Sequence, residues 1–332
     1  MGVDAKSINN LSNYMQSLFL PLDQLMIDHM VKMIDKKPIG NNVFHYTNAS
    51  DLRGVITDEN IWMTDCRFLN DPSETSHGLV LNKIRQNEVI SEIDEIIIDY
   101  INDIINFANS KEIHDFLSVN IPYYVFCCSK ISNDLSNWRL YGDNGRGFCI
   151  VFSKQFFSTN EIINDLVELE RYSIYTTNVS YNNYNNSFNP DDALIDIFNY
   201  VNKCFRENPN ILSKKPIREA FSEKILFTMM KIKIVNSLSL KNKSYKNEKE
   251  IRQIMISSNI ESQFGTKFRV RGNEIIPYIS VPRPIIKPDM ITEIIVGPAA
   301  APHVDQSVRS LLRSKKMDWV KVTKSQIPYR AI

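Results

Sequence analysis

Phe44-His45-Tyr46-Thr47 places an imidazole, a phenol ring and a hydroxyl in succession, and Phe68-Leu69-Asn70-Asp71-Pro72-Ser73-Glu74 adds a carboxamide and two carboxylates about two dozen residues later. A neutral imidazole at the end of an apolar strand can hold a ribose hydroxyl or a phosphate oxygen, and the adjacent ring offers a stacking face. The same pattern also suits a buried histidine bonded to the backbone. Asp71 and Glu74 are accounted for by a capping box, with Asp71 as the acceptor, Pro72 at the first helical position and Glu74 at the third. Asn70 is not needed by that cap; it either holds the preceding turn or faces a pocket with His45.

A second constellation is Tyr245-Lys246-Asn247-Glu248-Lys249-Glu250-Ile251-Arg252. A strand running through it would put Glu248, Glu250 and Arg252 on one face at roughly 6.6 Å intervals, because side chains alternate. One carboxylate could then enter a site while Arg252 fixes the other; a solvated ladder of ion pairs is the alternative. Trp138 and Tyr141, three apart on a short helix, either pack on a sheet or wall off a flat ring. Asp143 to Gly147 is explained by a turn and lacks the spacing of a phosphate loop. The five histidines and five cysteines show no metal spacing, and no G-x-S-x-G elbow occurs. Zinc and Ser-His-Asp chemistry are thus disfavoured, leaving a carboxylate, a histidine and aromatic rings. A metal-dependent phosphoesterase would need Asp71, Glu74, Glu248 and Glu250 to converge, and no metal is expected.

The elements that must position these groups follow from periodicity. Val43-Phe44 and Ile61-Trp62-Met63 read as strands around a helix from Ala49 to Asp58, capped by Asn48 or Ser50. Residues 8–37 predict two short helices broken at Pro21, and Pro72 to about Asn109 a helical region. Tyr123 to Ser129 is a buried strand, followed by a helix capped by Asp134 or Ser132 and a strand from Gly147 to Phe152. Val179-Ser180-Tyr181 predicts a further strand and Asn182 to Asn189 a loop. Helix is expected from about Asp191 to Leu240 with breaks near Pro209 and Pro216. Strands follow at Ile251 to Ser257, Ile275 to Val281 and Ile291 to Val296, then a helix near Asp305 to Lys315 and a strand around Trp319 to Val322. The sum is an α+β fold with a central mixed or antiparallel sheet, organised as an N-terminal helical extension (1–40) and one domain (41–332) with a helical insertion at about 185–242.

With 332 residues, 43% of them apolar, the chain can bury a large core. Its net charge of +1 gives no global attraction to nucleic acid or membrane, although lysines 214, 215, 224, 231, 233, 241, 243, 246 and 249 make one region basic. The odd cysteine count, the lack of a leader pattern and the absence of a long apolar run lead to the expectation of a cytoplasmic protein, and the Asn, Ile and Lys usage to a bacterial source.

The order F-H-Y-T, F-x-N-D-P-x-E, F-C-x-S, W-x-x-Y-G with G-x-G-F-C-I-x-F, Y-x-x-E-x-E-x-R, and a strand ending Ile295-Val296-Gly297-Pro298 resembles the bacterial and phage family called Domain of Unknown Function 2971, over about residues 43–330. The opening motif is also similar to that of ADP-ribosyltransferases, especially DNA-modifying toxins of the DarT type, whose Ser-Thr-Ser strand has no counterpart here. That resemblance implies an ADP-ribosyltransferase-like sheet, NAD as substrate, and an acceptor that is a nucleic acid or a protein, in a toxin or antiphage effector. It assigns catalysis to Glu250, with Glu248 competing, and to His45. Tyr46, Thr47, Asn70, Ser129, Trp138, Tyr141 and Arg252 become cofactor-binding residues, the stacking ring being Tyr46, Trp138 or Tyr141. A non-catalytic sensor of nucleotides or nucleic acid is the alternative.

Overall fold

The computed structural model describes residues 5–36, 40–71, 95–113, 123–157, 173–181, 190–208, 214–256, 264–282 and 290–331. The predicted start of the Pro72 helix, Glu74 and the asparagine loop lie outside them.

Strand β1 (Asn42–Thr47), helix α2 (Ala49–Asp58) and β2 (Asn60–Asp65) form where the periodicity placed them. The Asn48 side chain accepts the Asp51 N–H at 2.9 Å, so the N-cap is Asn48 and not Ser50. Leu52, Val55 and Ile56 are buried beneath it. Gly54 meets the indole of Trp62: a Cβ there would sit 2.0 Å from the ring, so only glycine lets the helix lie against that side chain. Helix α3 (Glu95–Ala108), β3 (Tyr123–Ser129), α4 (Leu135–Leu140) and β4 (Phe148–Ser153) follow. Asp134 caps α4 by accepting from Asn137 N at 3.0 Å. Next come β5 (Ser173–Asn178), α5 (Pro190–Glu207), α6 (Lys215–Ser239), β6 (Glu250–Ile256), β7 (Lys267–Arg271), β8 (Glu274–Pro282), β9 (Ile291–Val296), α7 (Val304–Ser314) and β10 (Lys321–Lys324).

Three expectations change. The N-terminal region is one helix, α1 (Ala5–Lys36), with Pro21 inside it. Packing against α5, α6 and β5 holds it together; Leu18, Leu22 and Met26 are buried in the same core as Phe198, Phe221 and Ile225. The strand expected at Val179 to Tyr181 lies just earlier, as β5, and Ser180 makes only an isolated bridge to Leu240. The strand carrying Glu248 begins at Glu250: residues 243–248 form a 3-10 turn and Lys249 takes the left-handed conformation, with φ 47°.

Among the described residues, ten strands form a mixed, mostly antiparallel sheet, in which β9 and β10 pair in parallel. One path runs β10-β9-β4-β1-β3-β2-β8-β7, and β6 pairs β3 and β5. Strand β3 is therefore a branch point. Its first edge pairs along its full length with β6, from Tyr123↔Ile256 to Ser129↔Glu250. Its second edge is shared: β2 pairs at Val125 and Tyr124, β1 only at Ser129. Between them, at Phe126, Cys127 and Cys128, neither β1 nor β2 is in register with β3, and the sheet is split there.

Alternation assigns the faces. His45 pairs Ile150, in the core under α2 and α7, whereas Tyr46 pairs Cys149 on the face of α4. Ser129 pairs Phe44 and Glu250, which puts Glu250 and Arg252 on the face of α4 and α6. His45 and Glu250 thus belong to opposite faces, and only the split lets both border one space.

Candidate functional site

A cavity of about 640 Å³ occupies the split, lined by β1 from Phe44 to Thr47, the start of α2, Trp62 and Thr64 of β2, Asn70, β3 from Val125 to Ser129, Tyr141, Glu248, Glu250, and Arg269 to Gly272. Segments more than two hundred residues apart in sequence meet here.

The His45 ring stacks on Phe126, with centroids 4.5 Å apart, and its Nδ1 lies 2.8 Å from the Cys127 carbonyl. A carbonyl only accepts, so Nδ1 carries the proton and Nε2 is left as an acceptor. Where the β1–β3 ladder has stopped, the imidazole supplies the missing bond. Burial lowers its pKa to about 4; the Cys127 bond pulls upward, and Arg269 adds to the lowering. The ring is neutral at pH 7. Its two readings, backbone partner and ligand acceptor, use different nitrogens and coexist.

Glu250 and Glu248 are held differently. Arg252 grips Glu250 as a fork, Nε to Oε1 at 2.7 Å and Nη2 to Oε2 at 2.8 Å, and Lys241 Nζ lies 3.2 Å from Oε2. Burial works to raise this carboxyl, but the guanidinium of Arg252, then Lys241, outweigh it and hold the pKa at about 2. Arg252 also donates to the Leu238 carbonyl at 2.9 Å and is fully buried. Glu248 shares Lys241, at 2.6 Å from Oε2, but its Oε1 accepts from the Tyr141 hydroxyl at 2.6 Å and the Asn70 amide at 3.2 Å, both neutral groups. Asn70 in turn donates to Tyr141 at 2.6 Å and accepts from Lys241 at 3.0 Å. Burial, followed by the charge of Glu248, raises the Tyr141 phenol well above its ordinary value, so it stays protonated and keeps its hydrogen bond to Glu248.

The backbone under Glu248 is fixed by Ser129, whose hydroxyl donates to the Glu248 carbonyl at 2.6 Å, and Asn137 donates to Ser129 at 3.3 Å. Thr47 is buried on the cavity wall. Tyr46 borders the cavity but is tied down: its hydroxyl donates to the Ile131 carbonyl at 3.1 Å, accepts from Asp134 N at 3.0 Å, and its ring meets Trp138 edge-on at 5.0 Å. Trp138 does not line the cavity; it is fully buried and donates to Asn133 at 3.1 Å. Tyr141 is the C-cap of α4, so the pair expected on one helical face is divided between core and cavity. Asp71 is buried and accepts from Asn242 N at 3.4 Å.

In the sequence Lys241 is one more lysine of a basic region. Its side chain is 1% exposed and links both glutamates to Asn70. The far wall has no signal in the sequence either: Arg269 donates to Asp51 and Thr64, each at 2.7 Å, beside Trp62, whose ring lies 4.6 Å from that of Tyr278 and tilted to it. Among the described residues no group of His, Cys, Asp and Glu is placed to hold a metal ion, no helix is long and apolar enough to cross a membrane, and the five cysteines are unbridged.

The resemblance to the DUF2971 family is borne out over residues 137–253, which match the model of that family, described as a protein of unknown function. The matched span holds Tyr141, Lys241, Glu248, Glu250 and Arg252. No curated protein and no solved structure matches the chain.

Proposed function

We propose that the chain binds NAD in the split of its sheet and breaks the bond between nicotinamide and ribose, passing ADP-ribose to a nucleic acid, a protein or water. The observation that carries this reading is the meeting, in one cavity, of a neutral His45 with an acceptor nitrogen and of Glu248 with an oxygen held only by neutral donors. The similarity of the F-H-Y-T motif to the opening motif of ADP-ribosyltransferases supports it, with Glu248 taking the place that similarity gave first to Glu250.

Nicotinamide leaves with the electron pair of the C1′–N bond, changing from a pyridinium to a neutral pyridine, and the ribose is left as an oxocarbenium ion. A carboxylate beside C1′ stabilises that charge. Glu248 takes this role because a ribose hydroxyl can replace Tyr141 or Asn70 on Oε1, whereas both oxygens of Glu250 are held by cations. His45 Nε2 accepts from a ribose hydroxyl and so orients the ring. The acceptor's lone pair then forms the new bond to C1′, and its proton passes to solvent. Glu250, Arg252 and Lys241 position Glu248. Such an enzyme would act as a toxin or antiphage effector by consuming NAD or modifying its acceptor.

Incubation with NAD, followed by chromatography for nicotinamide, tests the reading. Wild type should release nicotinamide, and E248Q should be slower by about 10²–10³, the usual cost of losing one charge-stabilising group. H45A should weaken NAD binding. Tight NAD binding without nicotinamide release, across DNA, RNA and protein acceptors, would make the chain a binding module instead.

A further inference from the structure

The chain Thr47-Asn48-Ala49-Ser50-Asp51 turns from β1 into α2, and all five residues line the cavity. Asn48 closes only part of the helix end. Its side chain accepts from Asp51 N at 2.9 Å and its carbonyl from Leu52 N at 3.0 Å. The N–H groups of Ala49 and Ser50, the first two of this helix of 10 residues, have no partner among the described residues. Both residues are exposed. Asp51 is the acid of the first turn, but Arg269 holds its Oδ2 at 2.7 Å. That pair is close to neutral, so the field at the helix end is set by the free N–H groups.

Thr47 supplies a second feature. It is 5% exposed, it lines the cavity, and its hydroxyl makes no hydrogen bond to another described residue. The hydroxyl is not among the polar atoms sealed from solvent, so the surface it retains opens on the cavity. A largely buried hydroxyl without a partner costs free energy until a ligand completes it. His45 stands two residues earlier on the same face of β1, with Nε2 available as an acceptor. Along a strand such neighbours are about 6.6 Å apart.

We infer that the N-terminus of α2 and Thr47 bind a phosphate group carried by a sugar whose hydroxyl is held by His45. The groups divide the ligand between them. An unprotonated imidazole nitrogen takes a hydroxyl, whereas two backbone N–H groups and a hydroxyl at the positive end of a helix take the oxygens of an anion. A simple carboxylate would fill the helix end but offer His45 no hydroxyl; a sugar phosphate supplies both from one molecule. Under the reading above that molecule is NAD and the phosphate belongs to its diphosphate bridge; only this identification rests on that reading.

Isothermal titration calorimetry with ADP and with adenosine, neither of which carries nicotinamide, tests the inference. Wild type should bind ADP at least about tenfold more tightly than adenosine, the worth of one hydrogen bond to a charged group. Ala49→Pro deletes one of the two free N–H groups and leaves the helix intact. Proline suits the first helical position, and Asn48, at φ −90° and ψ 177°, already has the extended backbone that a residue before proline needs. A49P should bind ADP about tenfold more weakly, bind adenosine as wild type does, and keep or raise its melting temperature. T47V, which removes the hydroxyl and keeps the branched shape, should have the same effect on ADP binding. Absence of ADP binding, equal affinity for ADP and adenosine, or either variant binding ADP as wild type does would overturn the inference. Nicotinamide release is read separately. A chain that binds ADP through these donors yet cleaves no NAD keeps the phosphate site and loses the proposed function; cleavage of NAD with ADP binding indifferent to both variants does the reverse.

Discussion

At the scale of single residues, the two glutamates read as alternatives in the sequence because both stand beside the same strand and the same arginine. Their environments divide the work. Glu250 sits in a nest of cations, and removing its main partner leaves a buried charge half-compensated, so R252M should lose about 3–5 kcal/mol in urea unfolding. E248Q keeps an acceptor oxygen for Tyr141 and leaves Lys241 paired with Glu250, so its stability loss should be smaller while its effect on nicotinamide release is larger. The pH dependence has a definite sign. His45 titrates near 6.5 when unfolded and about 4 when folded, so between those values the unfolded chain holds a proton that the fold lacks. Stability is therefore lost as pH falls from 6.5 to 4, and H45Q should remove that part of the dependence when urea midpoints are measured across the interval. Glu250, lowered from 4.5 to about 2, adds its own loss in the more acid window between those values. His45, Glu248 and Glu250 line one cavity, a meeting that residue order alone does not show across two hundred residues. Lys241 was not legible either, because a lysine in a basic segment has the same letters whether it is solvated or buried between carboxylates.

At the scale of elements, the strands around His45 and the helix after it were legible because apolar spacing and caps agree there. Strand β7 escaped notice because it is an edge exposed along most of its length and so lacks the alternation that marks a half-buried strand. The continuity of α1 was hidden by Pro21, whose local cost is outweighed by packing that only the fold reveals. The split of the sheet has no signature at all: it arises because β1 and β2 share one edge of β3 without filling it. Helix α4, only six residues long, depends on its ends, and it holds Tyr141 at its C-cap. Losing the Asp134 cap in D134A should cost about 1 kcal/mol in chemical denaturation and weaken NAD binding by displacing Tyr141 from Glu248.

At the scale of the whole molecule, α1 is part of the core. Leu18, Leu22 and Met26 are buried, Lys224 binds Asp23 at 2.6 Å, and Tyr200 donates to the Leu18 carbonyl at 2.9 Å. Three such side chains at about 1.5–3 kcal/mol each rival the net stability of an ordinary domain, about 5–15 kcal/mol. A chain lacking residues 1–40 should therefore unfold or aggregate, as read by circular dichroism and size exclusion; a soluble, folded truncation with altered activity would make the segment a regulator instead. The α1, α3, α5 and α6 side buttresses the strands that carry Glu250 and Arg252, while α2 and α7 buttress the face of His45, so the cavity draws on both layers. The most direct measurement is a crystal structure of E248Q soaked with NAD. The account predicts the nicotinamide ribose in the split, with one hydroxyl bonded to His45 Nε2 and C1′ facing the side chain at position 248. NAD bound elsewhere, or a ribose that meets Glu250 and Arg252 in place of residue 248, would contradict it.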